Sequence, residues 1–311
     1  MTGKDARRAT ASTVPTLEVY SQTFVDNYAA AHKPSARLAK KQILKRHLKP
    51  RFGHLRLDEI RQEHVDSLVV DLLKSKLSRK TINNVTAVLS SLLRYAAKNR
   101  VIASVDLTFN IKAQSVEIVA VAGADVAKLV AACEDRRYRA AILLAADAWL
   151  RVGEVRALEW PDVNEIAREI TVSRSYDRTN ALTETKGWER RVITISDRLW
   201  SALQALKRTS RYVVPKNRFD APLRYDGARD AILAVYKRAK VKPPPKPWHS
   251  LRHTFCTELA KAGVPVNVIK ELAGHKSIET TLRYMHTDRE AKRGAIDALR
   301  GTSQIDSKQS L

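Results

Sequence analysis

Glu169-Ile170-Thr171-Val172-Ser173, answered after a polar loop by Arg191-Val192-Ile193-Thr194-Ile195, breaks a chain that otherwise reads as helix. In these two runs apolar and polar residues alternate with period two, the signature of short strands with one face buried. The loop between them, 176–190, is polar. On either side the period returns to that of helices. Helical patterns resume near Asp125 and run through 159, and helices dominate again from 197, interrupted by Pro243, Pro244, Pro245 and Pro247. The second half therefore reads as a mostly helical domain around one small sheet.

The first half lacks even that interruption. Residues 78–98 carry Ile82, Val85, Leu89, Leu92, Leu93 and Ala96 on one face, with Ser78 placed to cap the N-terminus. A second helix is expected from Asp58 to about Lys74, with Ile60, Val65, Leu68, Val69, Leu72 and Leu73 apolar. An earlier one is expected near 34–48, ended by the turn-rich Lys49-Pro50-Arg51-Phe52-Gly53-His54. The boundaries that follow are a disordered 1–14, an all-helical domain over 15–112, a linker at 113–123, a second domain over 124–300 and a flexible tail at 301–311. The fold class is mainly α.

The chain has 311 residues, which at about 150 per domain also suggests two domains. Its 56 Lys and Arg against 33 Asp and Glu give a formal charge of +23, an excess that calls for a polyanion. The excess is spread: residues 1–115 carry 21 basic and 9 acidic side chains, residues 116–311 carry 35 and 24. Both halves are cationic, as two lobes gripping one duplex would be. The two cysteines, Cys133 and Cys256, are too far apart for a zinc-finger pattern and make no disulfide framework, which points to a reducing cytoplasm. No run of 18 apolar residues reads as a membrane span, and the start has no apolar signal-peptide core.

Four stretches carry chemistry: Leu150-Arg151-Val152-Gly153-Glu154, Thr185-Lys186-Gly187, Trp248-His249-Ser250-Leu251-Arg252-His253, and Gly274-His275 through Arg283-Tyr284. His249 and Arg252 lie three apart, on one helix face, and reach one ligand. Arg151 offers a second guanidinium, and two planar forks suit the non-bridging oxygens of a phosphate better than Lys does. Lys186, beside a glycine between strands, is placed to approach a leaving group. His275 and Tyr284 fall within one short helical hairpin. Singly, each has a plainer reading: an Arg151–Glu154 surface ion pair, a solvated lysine, a histidine beside a cap, a helix C-terminus at Gly274-His275, a half-buried tyrosine. Their joint occurrence in this order overturns those readings.

The order Arg, Lys, His-x-x-Arg, His, Tyr resembles the tyrosine recombinase (phage integrase) family, on Arg151, Lys186, His249, Arg252, His275 and Tyr284, with a spacing of nine from His275 to Tyr284. Leu48-Lys-Pro-Arg-Phe-Gly, Leu57-Asp-Glu-Ile and Leu77-Ser-Arg-Lys-Thr-Ile-Asn-Asn resemble the family's core-binding domain. The resemblance covers roughly 15–300. It implies a helical SAM-like core-binding domain followed by a catalytic domain of the DNA breaking-rejoining fold, the two forming a C-shaped clamp on duplex DNA. It implies that Tyr284 attacks the phosphodiester to form a 3′-phosphotyrosine, with His249 as general base, Lys186 protonating the departing 5′-oxygen, and Arg151, Arg252 and His275 neutralising the transition state. No cofactor and no metal is called for. The implied partners are double-stranded DNA bearing a specific recombination site, a homodimer on one site and a homotetramer in the synaptic complex, in the bacterial cytoplasm at the nucleoid.

Two departures stand out. Trp149 occupies a position where the family often has Gly, expected to alter packing behind Arg151. Val121-Ala-Gly-Ala-Asp125 replaces the usual Leu-Thr-x-x-Glu opening of the catalytic domain. The 14 residues before the first domain are too few for a further arm-binding domain. Residues 288–299 read as a short charged helix, docking on a neighbouring protomer or capping its own. The helix at 78–98 and the loops around Arg211–Arg229 are candidates for groove contacts. Two other functions fit the pattern: a type IB topoisomerase acting on supercoiled DNA as a monomer, and a non-catalytic DNA-binding protein.

Overall fold

The computed structural model describes residues 14–103, 107, 109–112, 118–184, 190–216 and 220–285. The chain divides into two units, Met1–Val116 and Glu117–Leu311.

The first unit is helical throughout: α1 (Leu17–Thr23), α2 (Pro34–Ile43), α3 (Lys49–Phe52), α4 (Gln62–Lys74) and α5 (Arg79–Lys98). Its centre is α5. The Ser78 hydroxyl accepts from the Thr81 amide at 3.2 Å, and Ile82, Val85, Leu89, Leu92, Leu93 and Ala96 are all buried, as their spacing predicts. Phe24, Leu44, Leu48, Leu57 and Leu68 close the core around them. Burying each such side chain contributes roughly 1.5–3 kcal/mol.

Two boundaries and one burial differ from the sequence reading. Lys49-Pro50-Arg51-Phe52 does not break the helix; after α2 the chain passes through a π-helical turn, Leu44–Leu48, and continues as α3. Pro50 falls in the first turn of α3, directly after the π-helical turn. Second, α4 starts at Gln62, because Leu57–Glu59 forms a separate 3-10 turn and the extended Ile60 turns its side chain into the core. Third, Leu73 stays 45% exposed: α4 turns Leu72 inward, and its neighbour falls beyond the apolar stripe.

The second unit wraps helices around α7 (Arg136–Ala146), which follows α6 (Gly123–Ala132). Every residue from Ala140 to Ala146 is buried, so the last two turns of α7 are apolar all round, as an interior segment must be. Then come α8 (Val152–Ala157), α9 (Asp197–Gln204), α10 (Tyr225–Arg238), α11 (Pro247–Lys261), α12 (Val266–Ala273) and α13 (Ile278–Leu282). α11 packs along α7.

The expected strands are β2 (Glu169–Val172) and β5 (Arg191–Thr194), which pair antiparallel with Ile170 opposite Ile193. β1 (Val163–Asn164) completes a sheet of order β1-β2-β5. The loop between them is more than a loop. β3 (Arg174–Tyr176) and β4 (Leu182–Glu184) form a second antiparallel pair. Its turn rests on Asp177, whose carboxylate accepts from the Thr179 and Ala181 amides at 2.8 and 3.2 Å, an arrangement that polar composition hides from a periodicity reading. Among the described residues no helix is long and apolar enough to cross a membrane.

Candidate active site

Arg151 caps the N-terminus of α8, and Glu154 in the first turn accepts the Arg151 backbone N–H at 2.8 Å. α8 crosses β3 so closely that a Cβ on Gly153 would lie 2.3 Å from the Tyr176 carbonyl oxygen and 2.5 Å from Ser175 Oγ. Only glycine permits that approach, and the approach seats Glu154 inside the domain.

Glu154 is not the surface ion-pair partner its spacing suggests. It is 2% exposed and binds three guanidiniums. Arg191, from β5, grips both oxygens at 3.1 and 2.6 Å; Arg151 Nη1 sits at 2.8 Å and Arg252 Nη1 at 3.5 Å. Burial alone would raise the pKa of this carboxyl. The Arg191 hydrogen bonds and the charges of Arg191, Arg252 and Arg151 outweigh it and hold the pKa at about 2. One buried anion thus gathers three cations and leaves the cluster electropositive.

α11 brings His249, Arg252 and His253 to that cluster. Arg252 is 3% exposed, and its Nη1 donates to the Trp149 carbonyl while its guanidinium lies 4.0 Å from the centre of the Trp149 ring. Burial, then the neighbouring Arg151, push the Arg252 pKa well below its ordinary value. The His249 and His253 rings stand 4.7 Å apart, nearly perpendicular.

The last two residues come from the α12–α13 hairpin. Gly274 takes φ 61° to end α12, a left-handed conformation suited to glycine, and His275 follows with its amide on the Lys270 carbonyl at 2.9 Å. His275 Nδ1 meets the buried Thr281 hydroxyl at 2.9 Å. So Gly274-His275 is a helix end and a site element together. Tyr284 stands in the turn two residues after α13, is 5% exposed, and lies parallel to His275 with ring centroids 6.1 Å apart.

The Tyr284 hydroxyl meets His253 Nδ1 at 2.6 Å. Burial pushes the Tyr284 pKa up. It pulls His253 down to about 4, reinforced by His249, Arg252, Arg283 and His275, and His275 likewise to about 4, reinforced by Arg252, Arg151 and Lys270. Both imidazoles are therefore neutral at pH 7, able to accept a proton or donate an N–H. His249 is also lowered, by burial first and then by Arg252, Lys246 and Arg151. It lines, with Arg151, Tyr176, Tyr225, Arg229 and Trp248, a cleft of about 540 Å³.

Arg151, His249, Arg252, His275 and Tyr284 thus come together around one buried network. Lys186 lies outside the described residues, as do 288–299 and the two termini. Sequence reasoning passed over Glu154 as a buried hub, Arg191 and His253, and read Trp149 only as a change of packing behind Arg151. His253 had a legible signal, standing four residues from His249 on one helix face. Arg191 had none, because its role arises from contacts across the fold; Trp149 stood out only as a departure from the family's Gly. Among the described residues no three His, Cys, Asp or Glu side chains group as metal ligands do.

Solved structures of DNA-processing enzymes share this fold. A Tn1549 transposon integrase in complex with a circular intermediate DNA matches at a TM-score of 0.75 and 19% identity, over 92% of this chain and 99% of that one. A lambda integrase dimer bound to a core site matches at 0.69 and 16%, over 87% and 95%. The phage integrase family model matches residues 120–291, and the phage integrase N-terminal SAM-like domain matches 16–73; the chain belongs to the phage integrase family. A XerC-like tyrosine recombinase of Caldanaerobacter subterraneus is 26% identical over 212 residues, 59% of this chain and 54% of its own. Tyrosine recombinase XerD of Corynebacterium glutamicum is 28% identical over 200 residues, 60% of each. The chain thus spans little more than half the length of these curated relatives.

Proposed function

We propose that the protein is a site-specific DNA recombinase that cuts and rejoins duplex DNA through a covalent 3′-phosphotyrosine. The observation that carries this reading is the Tyr284 hydroxyl held on His253 in the same buried cluster as Arg252, Glu154 and Arg151. Tyr284 Oη attacks the scissile phosphorus, its proton passing to the His249–His253 pair, and the P–O5′ bond breaks. Lys186 gives its proton to the departing 5′-oxygen. Arg151, Arg252 and His275 take the charge that builds on the non-bridging oxygens. The phosphotyrosine conserves the bond energy, so a 5′-hydroxyl from another strand reverses the step without ATP. Guanidiniums and the lysine supply what metal ions supply elsewhere, so we assign neither metal nor cofactor.

On this reading residues 15–112 form the core-binding domain, 124–300 the catalytic domain, and the segment between them a linker. The partners are double-stranded DNA carrying a specific recombination site and further copies of the chain, two on a site and four in the synapse. A lambda integrase tetramer bound to a Holliday junction, of the same fold at a TM-score of 0.71, supports this assembly. The place of action is the bacterial cytoplasm, on the nucleoid.

The test is a covalent trap. Cells expressing the protein are rapidly denatured, DNA still attached to it is recovered, and its 3′ ends are sequenced. One sequence should dominate with the natural chain and vanish with Tyr284→Phe. Scattered Tyr284-dependent ends would instead assign a topoisomerase-like activity, and an adduct that survives Tyr284→Phe would refute the reading.

A further inference from the structure

The geometry points to Trp149 as a positioning residue for the cleavage chemistry: its indole, wedged between Arg252 and Tyr284, holds the phosphate-binding guanidinium and the nucleophile in register. The inference rests on the recombinase reading and assigns a role to a side chain outside the six-residue signature.

Trp149 touches four groups of the site: Arg252, His253, His275 and Tyr284. Its ring meets those of His275, Tyr284 and His253 edge-on at 5.1, 5.8 and 6.2 Å. The Arg252 guanidinium lies over its face at 4.0 Å and bonds its carbonyl oxygen. Arg252 and Tyr284 come from α11 and from the end of α13, and no hydrogen bond or ion pair joins the two among the described residues. The indole is the body against which both rest, 2% exposed and therefore fixed by packing.

The residue occupies this position at a double cost. Its backbone stands at φ 55°, in the left-handed region where a bulky side chain is strained. Its Nε1–H is buried with no hydrogen-bond partner. A glycine would relieve both costs and leave a hole between the nucleophile and the arginine. Strain retained at the middle of a reactive cluster is what pre-organisation looks like. The wedge also keeps water away from His253, which is otherwise faced by His249 and Arg252 on its own helix and by His275, Arg283 and Tyr284 from the α12–α13 hairpin.

The test measures single-turnover cleavage of a nicked suicide duplex, carrying the site recovered from the covalent trap, by the full chain and three variants. Trp149→Phe keeps a ring and should cleave within about threefold of the natural chain. Trp149→Gly and Trp149→Leu should bind the duplex within about twofold but cleave ten- to a hundredfold more slowly. With the wedge gone and water admitted, the acid limb of their rate–pH profile should move up, toward the ordinary imidazole value of about 6.5. Folding is followed in parallel by thermal melting. A Gly or Leu variant that cleaves at the natural rate would overturn the proposal. So would a slower rate with an unmoved acid limb that the melts account for by a matching loss of folded protein. Should the natural chain form no adduct, as Tyr284→Phe forms none, the recombinase reading falls and this inference with it.

Discussion

At the residue scale, Glu154 decides how the site is charged. A carboxylate with three guanidiniums around it is stable only while all are present, since breaking a buried pair costs about 3–5 kcal/mol. Glu154→Gln should lower the unfolding free energy of the second unit, read from a urea titration, by an amount in that range. Its pKa is depressed in the folded state, so the stability it contributes is present above the ordinary carboxyl range and is lost as pH falls through about 2. The natural chain should lose stability over that acid window, and Glu154→Gln should lose less. His253 follows the same logic at a different pH. Its imidazole, held at about 4 in the fold, contributes stability above about 6.5 that disappears as pH drops through 4. A pH series of thermal melts with the natural chain and His253→Gln would show a steeper fall below pH 6.5 in the former. On the proposed mechanism, Arg151→Ala or Arg252→Ala would remove a transition-state donor, worth about 2.7–4 kcal/mol, and should slow cleavage on the order of a hundred- to a thousandfold.

At the scale of elements, the crossing of α8 over β3 places the whole arginine cluster. Gly153→Ala puts a methyl into the Tyr176 carbonyl, a backbone atom that cannot swing aside. The helix must lift off the strand and take Arg151 and Glu154 with it. We expect Gly153→Ala to destabilise by at least the 1–3 kcal/mol typical of overpacking and to abolish covalent adduct formation, read by melting and by the trapping assay. The crossing is further pinned by Arg156, which is 1% exposed and donates to the Leu223 carbonyl at 2.6 Å and to the Asp177 carbonyl at 3.1 Å. In the first unit, Ser78→Ala removes the cap of α5 and should cost about 1 kcal/mol in that unit alone.

At the scale of the whole molecule, charge and division into units govern behaviour. With a net +23 spread along the chain, most DNA affinity should come from phosphate contacts, and log affinity should fall linearly with log salt. A binding titration that is flat between about 50 and 200 mM salt would contradict that expectation. The two units have separate hydrophobic cores, with Leu17 through Ile102 in one and Val121 through Leu251 in the other. A fragment of residues 117–311 should therefore unfold in its own cooperative transition, observable by calorimetry.

Much of the protein was legible before any coordinates. The apolar faces of α4 and α5, the strands at 169 and 191, and the mainly helical class follow from periodicity, because a repeat of 3.6 or 2 is a local property of the chain. The Arg, His-x-x-Arg, His, Tyr series was legible because it is written in residue types in a fixed order and spacing. The π-turn that carries the chain past Pro50, the β3–β4 pair and the second hydrogen-bonding histidine were not. His253, Arg191, Glu154 and Trp149 acquire their roles from neighbours far away in sequence: Glu154 from a strand 37 positions on, and Trp149 from α11 and α13. The sequence by itself determined which side chains are available, and hence the family. Only the tertiary structure decided which of them share one buried network, because burial and convergence are properties of packing, and packing joins residues that no local pattern connects.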